Sequence, residues 1–142
     1  MSLKRVSPEE ARNLIDKEGW VYVDVRSVPE FEAGHPAGAY NVPLAHLGPA
    51  GMSPNVDFLG VMQKTFAKDR QLVIGCKSGG RSLQAATILA SAGFVNLVDQ
   101  RAGFQGGMDP QGRPEAGWGP KGLPTSREAQ SGRSWNDLNG GK

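Results

Sequence analysis

Apolar residues recur along this chain in short bursts separated by polar, glycine-bearing segments, and the bursts alternate between helical and extended spacing. Ser7-Pro8-Glu9-Glu10 opens the first element. Serine as N-cap, proline at the first helical position and Glu10 closing a capping box predict a helix to about Lys17. Trp20 to Val25 is a compact β-branched run, too short for a helix and apolar on both faces, as a buried parallel strand is. Ser27 followed by Pro29-Glu30-Phe31 predicts one short helical turn, and Gly34-His35-Pro36-Ala37-Gly38 breaks it before a brief strand near Ala39 to Val42. Ala45 to Asn55 reads as loop. Phe58, Leu59, Met62 and Phe66 then fall at helical spacing within Val56 to Phe66, and Gln71 to Gly75 is another short apolar strand. Leu83, Ala86, Leu89 and Ala90 mark one face of a helix that Gly93 ends in a left-handed conformation, and Phe94 to Val98 is the last strand expected.

Strands and helices therefore alternate, which predicts an α/β domain around a mainly parallel central sheet, with ligands at the carboxyl ends of the strands. A chain of 142 residues accommodates one hydrophobic core. From Asp109 the composition shifts: seven Gly and four Pro fall in the last 34 residues, which favours irregular chain. The expected division is a folded domain over residues 1–108 and a mostly irregular extension over 109–142. Trp118, Leu123, Trp135 and Leu138 are the only large apolar anchors of that extension, so it is expected to add little to the core.

Charge narrows the function classes. The 16 basic and 14 acidic side chains leave a formal +2 with no run of one sign, which argues against a nucleic-acid-binding stripe. No segment offers the roughly 20 apolar residues of a membrane span, and Met1 to Glu10 lacks a signal-peptide core, so the chain reads as soluble and cytoplasmic. A lone cysteine excludes an internal disulfide and leaves the thiol free for chemistry.

That cysteine sits where chemistry is expected. A strand ending at Cys76, a glycine-bearing loop and a helix opening near Ser82 bring a thiol to converging backbone N–H groups and a positive helix end, a setting that favours the thiolate. Lys77 and Arg81 add two cations to the same loop. Gly79 and Gly80 allow the loop to curl with its N–H groups inward, where a side chain would obstruct it. A single cysteine after an apolar strand is by itself more often a small buried hydrophobe. The glycine pair and the two cations favour an anion cradle around a nucleophile instead.

At these residues the chain resembles a known family. Cys76-Lys77-Ser78-Gly79-Gly80-Arg81-Ser82 is similar to the active-site loop of single-domain rhodaneses, with four residues between cysteine and arginine. Upstream, Asp24-Val25-Arg26, Glu30-Phe31, Gly34-His35, Gly38-Ala39 and Asn41-Val42-Pro43 follow the order of the rhodanese signature. The resemblance covers most of Val6 to Gly107. It departs at Gly103-Phe104-Gln105-Gly106-Gly107-Met108, where the family's tryptophan is missing unless Trp118 fills that space.

The resemblance implies a rhodanese-like fold, a five-stranded, mainly parallel sheet flanked by helices on both faces, and sulfur transfer through a Cys76 persulfide. Lys77, Ser78, Gly79, Gly80, Arg81 and Ser82 would form the substrate cradle, and Arg26, leaving the end of a strand, would reach a donor's sulfonate. Asp24, Glu30 and His35 are expected to clamp the loop after the second strand, and His46 to be an exposed loop residue. The implied partners are a small anionic donor such as thiosulfate and a thiol, cyanide or protein acceptor, with neither metal nor organic cofactor. Two alternatives are a persulfide carrier serving one protein partner and a phosphatase or arsenate reductase. The latter resemble this chain less, because their loop is one residue longer.

Overall fold

The computed structural model describes residues 3–140, so the first two and last two positions of the expected 1–108 and 109–142 division lie outside it. In chain order its elements are β1 (Lys4–Val6), α1 (Pro8–Glu18), β2 (Val21–Asp24), α2 (Val28–Ala33), β3 (His35–Pro36), β4 (Tyr40–Asn41), β5 (Ala45–Gly48) and β6 (Gly51–Pro54). There follow α3 (Phe58–Thr65), β7 (Leu72–Gly75), α4 (Gly80–Ser91), β8 (Leu97–Gln100), β9 (Gly106–Met108), β10 (Pro114–Ala116), β11 (Thr125–Ser126) and α5 (Trp135–Leu138).

Five strands form one sheet in the order β1-β8-β7-β2-β4, and every pairing in it is parallel. Register follows the two-residue period of extended chain. Tyr22 pairs with Val73 and Val73 with Val98, and these three side chains belong to one buried cluster with Ala11, Phe31 and Trp118. Val23 pairs with Ile74, and both join the opposite cluster with Met62, Ala86, Leu89 and Trp135. Each face of the sheet is thus covered by helices: α1 and α2 on one side, α3, α4 and α5 on the other.

The first helix starts as the sequence predicts: Ser7 Oγ accepts from the Glu10 N–H at 3.1 Å and the Glu10 carboxylate accepts from the Ser7 N–H at 2.8 Å. Other elements differ. β1 carries only one buried apolar residue, Val6, and joins the sheet edge through β8. Residues 45–54 form an antiparallel hairpin, β5 and β6, rather than a loop. His46 on that hairpin is half-buried, 5.7 Å from the Trp135 ring. The last central strand begins at Leu97 instead of Phe94, because Phe94 turns into the core and Val95 out to solvent.

The extension is mostly irregular but does not lie apart from the core. Trp118 is 3% exposed, meets Tyr22 edge-on at 5.4 Å and donates from Nε1 to the Pro124 carbonyl at 2.7 Å. β10 pairs with β9, β11 with β3, and Trp135 is 8% exposed against the opposite face. Among the described residues no helix is long and apolar enough to cross a membrane.

Candidate active site

The order of strands reverses between β2 and β7: the chain moves outward from β2 to β4, then returns to place β7 and β8 on the other side, between β2 and the edge strand β1. In parallel sheets that reversal opens a crevice at the carboxyl ends of the strands. Cys76 is the first residue beyond β7, at the mouth of this crevice, and the loop from it leads into the N-terminus of the 12-residue α4. The Gly79 N–H donates to Cys76 Sγ at 3.1 Å, and the Ser82 hydroxyl lies 3.5 Å from the same sulfur. The sulfur is therefore held at a helix N-terminus, where N–H groups and the macrodipole favour negative charge.

Only one of the two loop glycines is sterically required. Gly79 has φ +103°, and a Cβ there would overlap the Arg101 carbonyl oxygen. Gly80 has helical geometry, and a Cβ on it would meet nothing within 4 Å. Beneath the loop, the Phe104 N–H donates to the Cys76 carbonyl at 2.7 Å and the Gln105 N–H to the Lys77 carbonyl at 2.9 Å. Gly103, at φ +67°, is the close approach that permits this, since a Cβ there would lie 2.6 Å from the Cys76 carbonyl oxygen. The segment that lacks the expected tryptophan thus serves as the floor of the loop.

The cations of the loop divide. Lys77 and Ser78 are exposed, and Lys77 has no carboxylate partner among the described residues. Arg81 instead reaches Glu30, 51 positions upstream, with Nη1 2.7 Å from Oε1 and Nη2 3.0 Å from Oε2. The Arg81 bonds, reinforced by the Ser27 hydroxyl and N–H, hold the Glu30 carboxyl down at about 2. Glu30 in turn raises the Arg81 guanidinium above its ordinary value, with a smaller contribution from negative charge on Cys76. Glu30, expected from the sequence to help clamp the loop after the second strand, is through its bond to Arg81 a brace for the Cys76 loop as well, a contact across 51 positions that no local pattern shows.

A second buried set supports Ser82. Its hydroxyl donates to Asp99, which is fully buried and accepts from Arg5 Nε at 2.7 Å. Burial pushes the Asp99 carboxyl up, against the opposing pull of Ser82 and Arg5. Arg26 leaves the end of β2, as expected, but turns inward at 5% exposure. Its Nη2 donates to Asp24 at 2.7 Å and to the Gly34 carbonyl at 2.6 Å, and its guanidinium lies over the Phe104 ring at 4.4 Å. His35 is stacked on Phe31 with ring centroids 3.6 Å apart. The structure therefore brings Cys76, Lys77, Gly79, Arg81 and Ser82 together, and sets Arg26 in the wall beside Glu30 and Lys77.

Comparison with known proteins matches this geometry. Residues 7–108 fit the family described as Rhodanese-like domain. Thiosulfate sulfurtransferase 16, chloroplastic, of Arabidopsis thaliana is 40% identical over 107 residues, spanning 75% of this chain and 80% of that one. Senescence-associated protein DIN1 of Raphanus sativus is 42% identical over 86 residues, 61% of this chain and 47% of its own, so this chain spans about half of that relative's length. The crystal structure of Rv0390 from M. tuberculosis superposes with a TM-score of 0.72 at 27% identity, covering 90% of this chain and all of that one.

Proposed function

Since the chain belongs to the rhodanese family on its match over residues 7–108, we propose that it is a sulfurtransferase that carries sulfane sulfur on Cys76. The observation that carries this reading is the sulfur itself, held at the start of α4 with the Gly79 N–H 3.1 Å away. The Arabidopsis relative named as a thiosulfate sulfurtransferase supports thiosulfate as donor class.

In the first step the Cys76 thiolate attacks the outer sulfur of thiosulfate, the S–S bond breaks, and sulfite leaves with the bonding pair. In the second, a nucleophilic acceptor takes the outer sulfur of the persulfide and Cys76 recovers its thiolate. This is covalent, two-step catalysis. The loop N–H groups and the end of α4 stabilise negative charge on both sulfurs. Lys77, exposed at the rim, attracts the anionic donor. Arg81 adds positive potential from a position fixed by Glu30, and Arg26 acts as a positioning residue that holds the wall of the crevice. With one cysteine in the chain, the acceptor must come from outside it.

Mass measurement after exposure to thiosulfate tests the proposal. The protein should gain one sulfur atom, lose it to cyanide, and gain nothing as Cys76→Ser. Turnover of aryl phosphates without a sulfur adduct would favour the phosphatase alternative instead.

A further inference from the structure

Ser82 stands between the nucleophile and a buried carboxylate. Its Oγ lies 3.5 Å from Cys76 Sγ and 3.2 Å from the Gly79 carbonyl oxygen, and it is hydrogen-bonded to Asp99 Oδ1. Ser82 and Asp99 are both fully buried, and the other carboxylate oxygen, Oδ2, accepts from Arg5 Nε at 2.7 Å. A continuous line of contacts thus runs from the edge strand β1 through β8 and the first turn of α4 to the sulfur.

A serine hydroxyl has one proton to give and two lone pairs with which to accept. Arg5 and the Ser82 hydroxyl both stabilise the charged form of Asp99. A carboxylate only accepts, so while Asp99 is charged the Ser82 proton is directed at Oδ1, the strongest acceptor in reach. What Ser82 then turns toward Cys76 is a lone pair, which can accept the S–H of a thiol but has nothing to donate to a thiolate. The Gly79 N–H and the start of α4 pull the other way, toward the charged sulfur. The remaining charged or titratable groups around this line are Lys77 and Arg81 of the loop, Glu30 on α2 bound to Arg81, and, from β2, the Asp24–Arg26 pair and the buried Tyr22 hydroxyl, which accepts from Gln100. Of these carboxylates, Asp99 is the one hydrogen-bonded to a residue that touches the sulfur.

We propose that Asp99 is a positioning residue for the chemistry of Cys76: by holding the Ser82 proton, it withholds a hydrogen bond from the thiolate and so keeps the sulfur strongly nucleophilic. The inference rests on the sulfurtransferase reading for the reaction it serves. Nucleophilicity of a thiolate falls with its basicity, with a Brønsted slope of about 0.4–0.5. A cradle made only of donors and cations therefore yields an abundant but sluggish thiolate, and the Asp99–Ser82 pair acts as its counterweight.

Asp99→Asn is the test. Arg5 can only donate, so it takes the amide oxygen and turns the amide N–H toward Ser82 Oγ; the Ser82 proton is then free, and a charged sulfur attracts it more strongly than the neutral Gly79 carbonyl. Two rates are followed by mass across a range of pH: alkylation of Cys76 by iodoacetamide, which needs only a thiolate, and sulfur uptake from thiosulfate. Both should reach half of their plateau about one pH unit lower than in wild type, the worth of about one charge-assisted hydrogen bond. The plateau itself should fall about threefold, as the Brønsted slope requires. Loosened packing does not produce a lower midpoint together with a slower plateau. In a Ser82→Ala background, Asp99→Asn should move the midpoint by only a small fraction of that shift. The Arg5 side chain is 42% exposed and can turn to water once its carboxylate is gone, so the fold should stand. If Asp99→Asn failed to fold, Asp99→Leu, which offers Ser82 no acceptor, is read in its place with the same direction of shift. An unmoved midpoint in a folded variant would overturn the proposal. An equal shift with and without the Ser82 hydroxyl would show bare charge acting across space and would overturn it too. The expected alkylation profiles in a wild-type protein that takes no sulfur from thiosulfate would remove the sulfurtransferase reading and leave the role of Asp99 toward Cys76 standing.

Discussion

Replacing Trp118 with alanine tests whether the extension is part of the core. The indole is 3% exposed, lies edge-on to Tyr22 and donates to the Pro124 carbonyl. A buried Trp→Ala change costs about 3–5 kcal/mol through lost transfer energy and the cavity left behind. Loss of the aromatic contact, about 0.5–1.5 kcal/mol, lies partly within that range, so about 4 kcal/mol is a fair expectation. For 142 residues, at ~2.1 cal/mol/K of unfolding entropy per residue, this lowers Tm by about 13 °C. Thermal and urea unfolding followed by circular dichroism read both quantities. A chain ending at Gly107, which loses Trp118 and Trp135 together, should not fold cooperatively. If Trp118→Ala unfolded within about 1 kcal/mol of wild type and the shortened chain kept a sharp transition, the extension would be an accessory wrap and the reasoning from burial would be wrong.

Other expectations follow from the site. Gly79→Ala forces a side chain into a left-handed position against the Arg101 carbonyl and should abolish persulfide formation, whereas Gly80→Ala should keep the fold within about 1 kcal/mol of wild type; comparable damage from both would refute the distinction. The Glu30 carboxyl is depressed in the folded state, so its contribution is present above its ordinary value of 4.5 and is lost as pH falls toward about 2. Glu30→Gln should therefore be less stable than wild type at pH 7, by about 1 kcal/mol after allowing for solvent on one side of the pair, with the gap closing between pH 4.5 and 2 in urea titrations. Arg5→Met leaves the buried Asp99 carboxylate without its guanidinium. That carboxyl is already raised, so the variant should be most stable in mild acid and lose stability as pH rises; a flat Tm between pH 4.5 and 8 would contradict this.

The chemistry of the site was legible because it is local. An apolar strand followed by a cysteine, two glycines and two cations within seven consecutive positions announces the loop, and the Ser7–Glu10 box announces the first helix with equal clarity. What escaped the pattern was non-local. β1 has a single buried apolar residue and is a strand only because β8 offers it an edge. The 45–54 hairpin leaves most of its apolar side chains in solvent, so no burial imposes an alternation on its sequence. Phe94 and Val95 extended the apparent last strand toward its start because composition does not show which of them faces the core. The Glu30–Arg81 pair spans 51 positions, and Trp118 reaches Tyr22 across about two thirds of the chain, so neither contact has a local signature.

The late position of the two buried tryptophans bears on how the protein is made. All five strands of the central sheet are complete by Gln100. As the chain emerges from the ribosome, Tyr22, Val73 and Val98 can meet before Trp118 is available to cover them, and the other face waits longer for Trp135. Contacts between such distant positions form slowly. The nascent chain therefore passes through a stage in which every sheet-forming segment is present but both apolar faces are incompletely covered and cooperative folding is still out of reach, a surface suited to transient capture by a chaperone until Trp118 and Trp135 arrive.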